Sequence, residues 1–146
     1  MSLLDIIHAA IREDMPSGDL TTESMAVAPR PGRARLVAKE DIVLSGAAPF
    51  EQTILALDPN ARVKWSFEEG ERVLKKQNIC TIQGDLIQIL KAERLALNFL
   101  GRLSGIATIT RAYVDMVKAT KTKILDTRKT TPTFRELEKR AVLHGG

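Results

Sequence analysis

Nowhere in the 146 residues does an apolar run approach the ~20 that a membrane-spanning helix needs. The start, Met-Ser-Leu-Leu-Asp, has an early acid and no basic residues, unlike an ordinary secretory signal peptide. A single cysteine, Cys80, excludes an internal disulfide and a cysteine-based metal cluster, and predicts a reducing, cytoplasmic compartment. Aromatic residues make up only 4%, with one Trp and one Tyr, too few stacking platforms for a single-strand nucleic-acid surface. No phosphate-binding loop, dinucleotide fingerprint, zinc-finger spacing or metal-ligand motif is present. The two histidines, His8 and His144, stand far apart, and no nucleophile-plus-base arrangement is visible. His8 is expected to be structural or solvent-facing, and His144 to favour the end of a helix.

What is present describes an ordinary folded domain: 44% hydrophobic and 27% charged residues. The charge is unevenly spread. Residues 1–71 hold 7 Lys/Arg against 12 Asp/Glu, whereas residues 72–146 hold 15 against 6. A basic half points to an anionic ligand, a nucleic acid or an acidic partner. With so few aromatics, a small anionic ligand is the preferred reading, although most of these charges solvate helix faces.

Hydrophobic spacing predicts a helix over residues 3–13 that ends in the turn chemistry of Ser17-Gly18-Asp19. Residues 33–44 read as one strand, or two broken near Glu40-Asp41. Ala47 to Leu57 reads as a helix, and Ala61 to Phe67 as a half-buried strand. Residues 78–90 give β-type segments around a Gly84-Asp85 turn, with Cys80 a small core residue. The clearest helix spans 89–103, its stripe formed by Ala92, Leu95, Ala96, Phe99, Leu100 and Leu103. Opposite lie Arg94, Asn98, Gly101 and Gly105, a small-residue face with one guanidinium that suits either solvent or another subunit. Ser104-Gly105 is expected to interrupt this helix. A second helix would bury Ile106, Ile109, Tyr113, Met116 and Val117. Lys123 to Thr127 reads as a short strand, and Thr133-Phe134-Arg135-Glu136 as a capping box opening a last helix.

The segment from Ile124 to Pro132 carries the most chemistry. It leaves the expected strand and opens into a polar loop, the place where α/β sheets and barrels bind ligands. Thr127 and Thr130 offer hydroxyls. Arg128 offers a fork for a carboxylate and Lys129 a point charge suited to phosphate. Asp126 sits among these cations and can pair with them. A basic surface loop with threonine caps fits the same composition equally well.

At this loop the sequence resembles a known family. Asp126-Thr127-Arg128-Lys129-Thr130-Thr131-Pro132, followed by Arg135 and Leu137-Glu138-Lys139, is similar to quinolinate phosphoribosyltransferase, also called nicotinate-nucleotide pyrophosphorylase (carboxylating). Glu93 to Leu100, Leu103 to Thr108, Glu13-Asp14 and Gly18-Asp19-Leu20-Thr21-Thr22 extend the resemblance over essentially the whole chain. Thr133-Phe134 departs from the family's more usual Gly-Leu.

The resemblance implies an α+β N-terminal domain, with an open, hammerhead-like sheet and helices, over residues 1–105. Residues 106–146 would begin an α/β barrel. It implies transfer of a phosphoribosyl group from phosphoribosyl pyrophosphate to the ring nitrogen of quinolinate, with magnesium on the pyrophosphate. Loss of carbon dioxide then gives nicotinate mononucleotide for NAD synthesis. It implies that Arg128 binds a quinolinate carboxylate, that Thr127 and Lys129 line the site, with Lys129 near the phosphate-bearing substrate, and that Arg94 reaches the neighbouring subunit's site in a homodimer. No catalytic residue is expected in this part of the family's length. Members are about twice as long, so the chain is expected to be a truncated form that is inactive alone. The alternatives are a related phosphoribosyltransferase-like protein of another pathway, for example molybdate-linked, and a non-enzymatic basic binding module. A carrier-type domain would need a modifiable lysine at a hairpin tip, typically in a Met-Lys-Met tripeptide, and no such tripeptide is present.

Overall fold

The computed structural model describes residues 1–16, 18 and 28–146. Of the turn expected after the first helix, Ser17 and Asp19 lie outside the described residues, as do Asp19 to Thr22 of the N-terminal signature.

Helix α1, Leu3–Asp14, starts where the sequence dictates. The Ser2 hydroxyl accepts from the Asp5 amide while the Asp5 carboxylate accepts from the Ser2 amide, a reciprocal capping box. Three strands follow the order β1–β5–β3: β1 Pro31–Val37, β5 Asn78–Asp85 and β3 Arg62–Trp65, all antiparallel. A two-stranded ribbon pairs β2, Ile42–Val43, with β4, Arg72–Val73. The break expected near Glu40-Asp41 is the gap between β1 and β2. Helix α2, Ala47–Leu57, matches its expected span.

The β-type reading of residues 78–90 holds only to Asp85. There the Asp85 carboxylate accepts from the Ile87 amide at 2.8 Å and caps a helix, so residues 86–90 are helical. That helix, α3, runs unbroken over Leu86–Val117, 32 residues. The interruption expected at Ser104-Gly105 does not occur. The Ser104 hydroxyl reaches across to the β2–α2 turn, donating to the Ser45 carbonyl at 2.8 Å and accepting from the Ser45 amide at 3.1 Å. Thr108 likewise accepts from the Val43 amide at 2.9 Å. The Ser104 side chain, read from the sequence as part of a helix break, is a tertiary tie.

Two apolar clusters share α3. One face of the helix supplies Ile89, Ala92, Ala96 and Leu100 to a core with Phe50 and Ile54 of α2 and Ile79, Cys80 and Ile82 of β5. Phe50 meets Trp65 edge-on, with ring centroids 5.5 Å apart, and Trp65 donates its indole N–H to Glu51 at 2.9 Å. The adjacent face gives Leu95, Phe99 and Leu103 to a second cluster with Ile6 and Ile7 of α1 and Leu137 and Ala141 of α4, Arg135–Gly145. Gly145 allows α4 to touch α3, because a Cβ there would overlap Thr110 and the Ala107 carbonyl.

Beyond residue 105 the burial differs from expectation. Ala107 and Thr110 face α4, while Ile109, Tyr113 and Met116 are exposed, Met116 at 77%. The helical period holds, but of the expected face Ile106 alone packs against a core cluster. Residues 123–127 form no strand, since none among the described residues pairs with them, and Leu125 is 82% exposed. Nor does the Thr133 capping box form. Thr133 has φ 70°, and α4 begins after Phe134 with no side-chain cap.

Candidate functional site

The loop from Asp126 to Thr131 is held from behind by one buried carboxylate. Glu138, in the first turns of α4, is 7% exposed. Its Oε1 accepts from Arg102 Nε at 3.0 Å, Arg102 Nη2 at 2.6 Å and the Thr131 hydroxyl at 2.8 Å. Its Oε2 accepts from the Thr131 amide at 3.0 Å. Burial pushes the Glu138 carboxyl up, but the Arg102 and Thr131 bonds outweigh it and hold the group below the usual carboxylate range. Arg102 Nη2 also donates to the Thr131 hydroxyl at 2.7 Å. On the other side, Arg135 donates to the Thr130 hydroxyl at 3.3 Å and to the Arg128 carbonyl at 3.4 Å. Asp126 pairs with Lys139 at 3.0 Å.

With its backbone fixed this way, the loop turns its remaining cations outward. Thr127 accepts the Lys129 amide at 3.1 Å, a local turn that orders the tip. Thr127 and Lys129 then line a pocket of about 260 Å³ with Arg102, Ile106 and Lys139. Arg128 is exposed, and among the described residues only its carbonyl is engaged. Among the described residues neither the Arg128 guanidinium nor the Lys129 ammonium has a carboxylate partner. The site therefore presents unpaired positive charge on a braced backbone, an arrangement that receives anions.

Arg94 does not join this group. It extends from α3 with its side chain 74% exposed and meets Asp14 of α1 at 3.4 Å. Beside it, a Cβ added at Gly101 or Gly105 would meet nothing within 4 Å, so the small-residue face is open. A second pocket, about 570 Å³, lies between α1 and α3, with Asn98 and Arg102 on its wall.

Arg102 and Glu138 carry the site's architecture, and the sequence reading missed their roles. A signal was there. Phe134, Leu137 and Ala141 make an apolar stripe with i, i+3, i+7 spacing, and the i+4 position is occupied by Glu138. An acid in an apolar stripe implies a buried partner. His144 is more than a helix-end cation. Its Nδ1 lies 2.9 Å from the Ser45 hydroxyl and its Nε2 3.8 Å from Glu69, whose other oxygen accepts from the Gly46 and Ala47 amides.

Comparison with known proteins gives a consistent picture. The N-terminal domain model of quinolinate phosphoribosyl transferase matches residues 19–104, and the C-terminal domain model matches residues 106–146. A Nicotiana tabacum quinolinate phosphoribosyltransferase (decarboxylating) is 39% identical over 99% of this chain and 41% of its own length. A probable nicotinate-nucleotide pyrophosphorylase (carboxylating) of Bacillus subtilis is 37% identical over 100% of this chain and 50% of its own. The nicotinate-nucleotide pyrophosphorylase structure from Francisella tularensis superposes with a TM-score of 0.93 at 34% identity, covering 99% of this chain and 51% of that one. The chain thus spans about half the length of the relatives it matches. Fold, loop and comparisons together place this chain in the quinolinate phosphoribosyltransferase family.

Proposed function

We propose that this chain supplies the N-terminal half of a quinolinate phosphoribosyltransferase. Such an enzyme moves the phosphoribosyl group of phosphoribosyl pyrophosphate to the ring nitrogen of quinolinate and releases the 2-carboxylate as carbon dioxide. The products are nicotinate mononucleotide and pyrophosphate. The observation that carries the reading is the unpaired Arg128 and Lys129 on a backbone fixed by Glu138 and Arg135.

Quinolinate is a dicarboxylate and its co-substrate carries phosphate and pyrophosphate, so both need clustered cations. Arg128 forks onto a quinolinate carboxylate. Thr127 lines the same pocket, and Lys129 faces the phosphate-bearing substrate. Ribosyl transfer develops oxocarbenium character, which fixed charge and orientation stabilise without a protein nucleophile. The alkylated ring nitrogen then carries the electron sink for decarboxylation. Arg94 exchanges its weak pair with Asp14 for the neighbouring subunit's site in a homodimer, and the open Gly101–Gly105 face lets the partner's backbone approach.

The reading includes a division into an α+β unit at about residues 1–105 and the start of an α/β barrel at about 106–146. The exposed Ile109, Tyr113, Met116, Leu125 and Leu143 favour it, since so much bare apolar surface suits elements that pack over it. Magnesium belongs to the reading only as a companion of pyrophosphate. Among the described residues no group of three or more His, Cys, Asp or Glu could hold a metal ion, and no step here depends on one. No described helix is long and apolar enough to cross a membrane, and a cytoplasmic location remains part of the proposal.

The test is nicotinate mononucleotide formation from quinolinate, phosphoribosyl pyrophosphate and magnesium. It is run with the 146-residue chain and with a form extended to the family's full length. Turnover by the extended form alone is expected. Turnover by the 16.1 kDa chain itself, or none by either form, overturns the reading.

A further inference from the structure

The outward face of the three-stranded sheet carries a cluster of cations that the proposed reaction does not use. In the ladder Arg33 stands opposite Gln83, and Gln83 opposite Arg62. Two residues along, Arg35 stands opposite Thr81, and Thr81 opposite Lys64. Side chains alternate along a strand, so all four cations project from one face, and all four are exposed. Strand geometry sets them at the corners of a rectangle about 7 Å along the strands and about 10 Å across.

At one end this face runs into a broad basin of about 930 Å³ where Arg30, Arg33 and Arg62 meet the amides of Asn60, Gln83 and Gln88. Two carboxylates also reach the wall, and both are engaged. Asp58 accepts from the Asn60 amide at 3.0 Å and the Asp85 amide at 2.8 Å, and Asp85 caps α3 through Ile87. The close packing that builds this wall depends on Gly84, where a Cβ would sit 2.5 Å from Asp58 Oδ2. Among the described residues none of Arg30, Arg33, Arg35, Arg62 and Lys64 has a hydrogen-bonding or ion-pair partner for its side chain. The basin shares no lining residue with the Thr127–Lys129 pocket, although both are lined by basic side chains.

We propose that this basin and the adjoining sheet face bind a small ligand bearing a linear chain of phosphates. Its volume falls in the range of small-molecule sites. Four of the five cations are arginines, whose planar forks match phosphate oxygens. The amides supply neutral donors between them. A protein partner would need an apolar anchor at the centre of its footprint, and the ladder positions between the cations are Gln83 and Thr81. Base stacking has no platform here either, because Trp65 is turned to Glu51 on the other side of its strand. Inorganic tripolyphosphate and a nucleoside triphosphate share the required chemistry.

The experiment is calorimetric titration of the 146-residue chain with sodium tripolyphosphate, and separately with a nucleoside triphosphate, at low and at physiological salt. Amide NMR shifts are mapped in parallel. Shifts are expected on β1, β3 and β5, with affinity falling as salt rises. Arg33→Gln/Arg62→Gln, both exposed substitutions, should weaken binding about a hundredfold, about tenfold for each lost charge-assisted fork. Arg33→Lys/Arg62→Lys should fall between that variant and the parent. The same event should persist in Lys129→Ala. Equal affinity for the two ligands assigns recognition to phosphate alone, and tighter binding of the nucleoside triphosphate adds a base contact in the basin; either supports the proposal. No binding at low salt, shifts confined to residues 126–139, indifference to Arg33→Gln/Arg62→Gln, or displacement of tripolyphosphate by an equal charge of polyglutamate overturns it.

Discussion

Removing the Arg102 guanidinium tests whether one buried carboxylate braces the loop from Asp126 to Thr131. Arg102→Ala takes two donors from Glu138 Oε1 and leaves the Thr131 amide and hydroxyl. A fully buried ion pair broken from one side costs ~3–5 kcal/mol. Here the acid is buried but the Arg102 side chain is 52% exposed, so water replaces part of the loss. The expected cost is about 2 kcal/mol, the value of a charge-assisted hydrogen bond to a buried group. In a domain of this size that lowers the melting temperature by about 4–8 °C. Glu138→Gln keeps the shape but loses the charge, and should cost a similar amount at neutral pH. The pH dependence has a defined sign. Because the folded pKa of Glu138 is lowered, its contribution is fully present above the ordinary value of 4.5 and is lost as pH falls through the folded value. Denaturant unfolding from pH 7 to pH 3 should therefore show parent and Glu138→Gln converging at the acid end. The Lys129 amide signal should sharpen or shift with loop order in the parent only. A neutral midpoint unchanged in both variants, or a gap between parent and Glu138→Gln that widens towards acid, refutes the brace.

Gly145→Ala should destabilise the chain by about 1–3 kcal/mol through overlap with Thr110, whereas Gly105→Ala, with open space around it, should be neutral or add up to about 1 kcal/mol; paired melting curves separate them. Arg94→Ala should change stability by no more than about 0.5 kcal/mol, because its pair with Asp14 is exposed, yet raise the quinolinate requirement of the proposed full-length dimer. In that full-length form Arg128→Ala should weaken quinolinate binding and Lys129→Ala should raise the phosphoribosyl pyrophosphate requirement; unchanged kinetics in both would remove the loop from the site. Burial, aided by Glu51, pushes the Cys80 thiol up to about 12, so a thiol reagent at pH 8 should label the chain only after denaturant is added.

Local rules made much of the fold readable. The first helix, the stripe from Ala92 to Leu103 and the span of α2 follow from periodicity, which acts within a few residues. The misreadings share another cause. Ser104 and Gly105 look like breakers until the Ser104 hydroxyl is seen to bind Ser45, a residue distant in sequence. The helical period of residues 106–117 gives a stripe but not its partner, so it cannot show that Ile109, Tyr113 and Met116 face outward. Residues 123–127 need a neighbouring strand before a ladder can form. At the candidate site, the cations Arg128 and Lys129 were evident from the sequence, and so was the small-residue face around Arg94. The Arg102–Glu138 brace was not, because it joins residues 36 apart on two different helices and shows in the sequence only as an acid in an apolar stripe.

The two family models meet at residues 104 and 106, in the interior of α3. A helix of 32 residues is a rod about 48 Å long whose backbone ladder has no joint. The regions on either side of that boundary cannot swing like beads on a string, and torque applied to one is delivered to the other. Any rearrangement of Thr127 to Lys129 relative to these helices would have to be absorbed by residues 118–134, the irregular segment between α3 and α4. The Arg102–Glu138 bridge spans that segment like a clasp, so the position of the 126–131 loop is tied to a bond anchored on the rod itself.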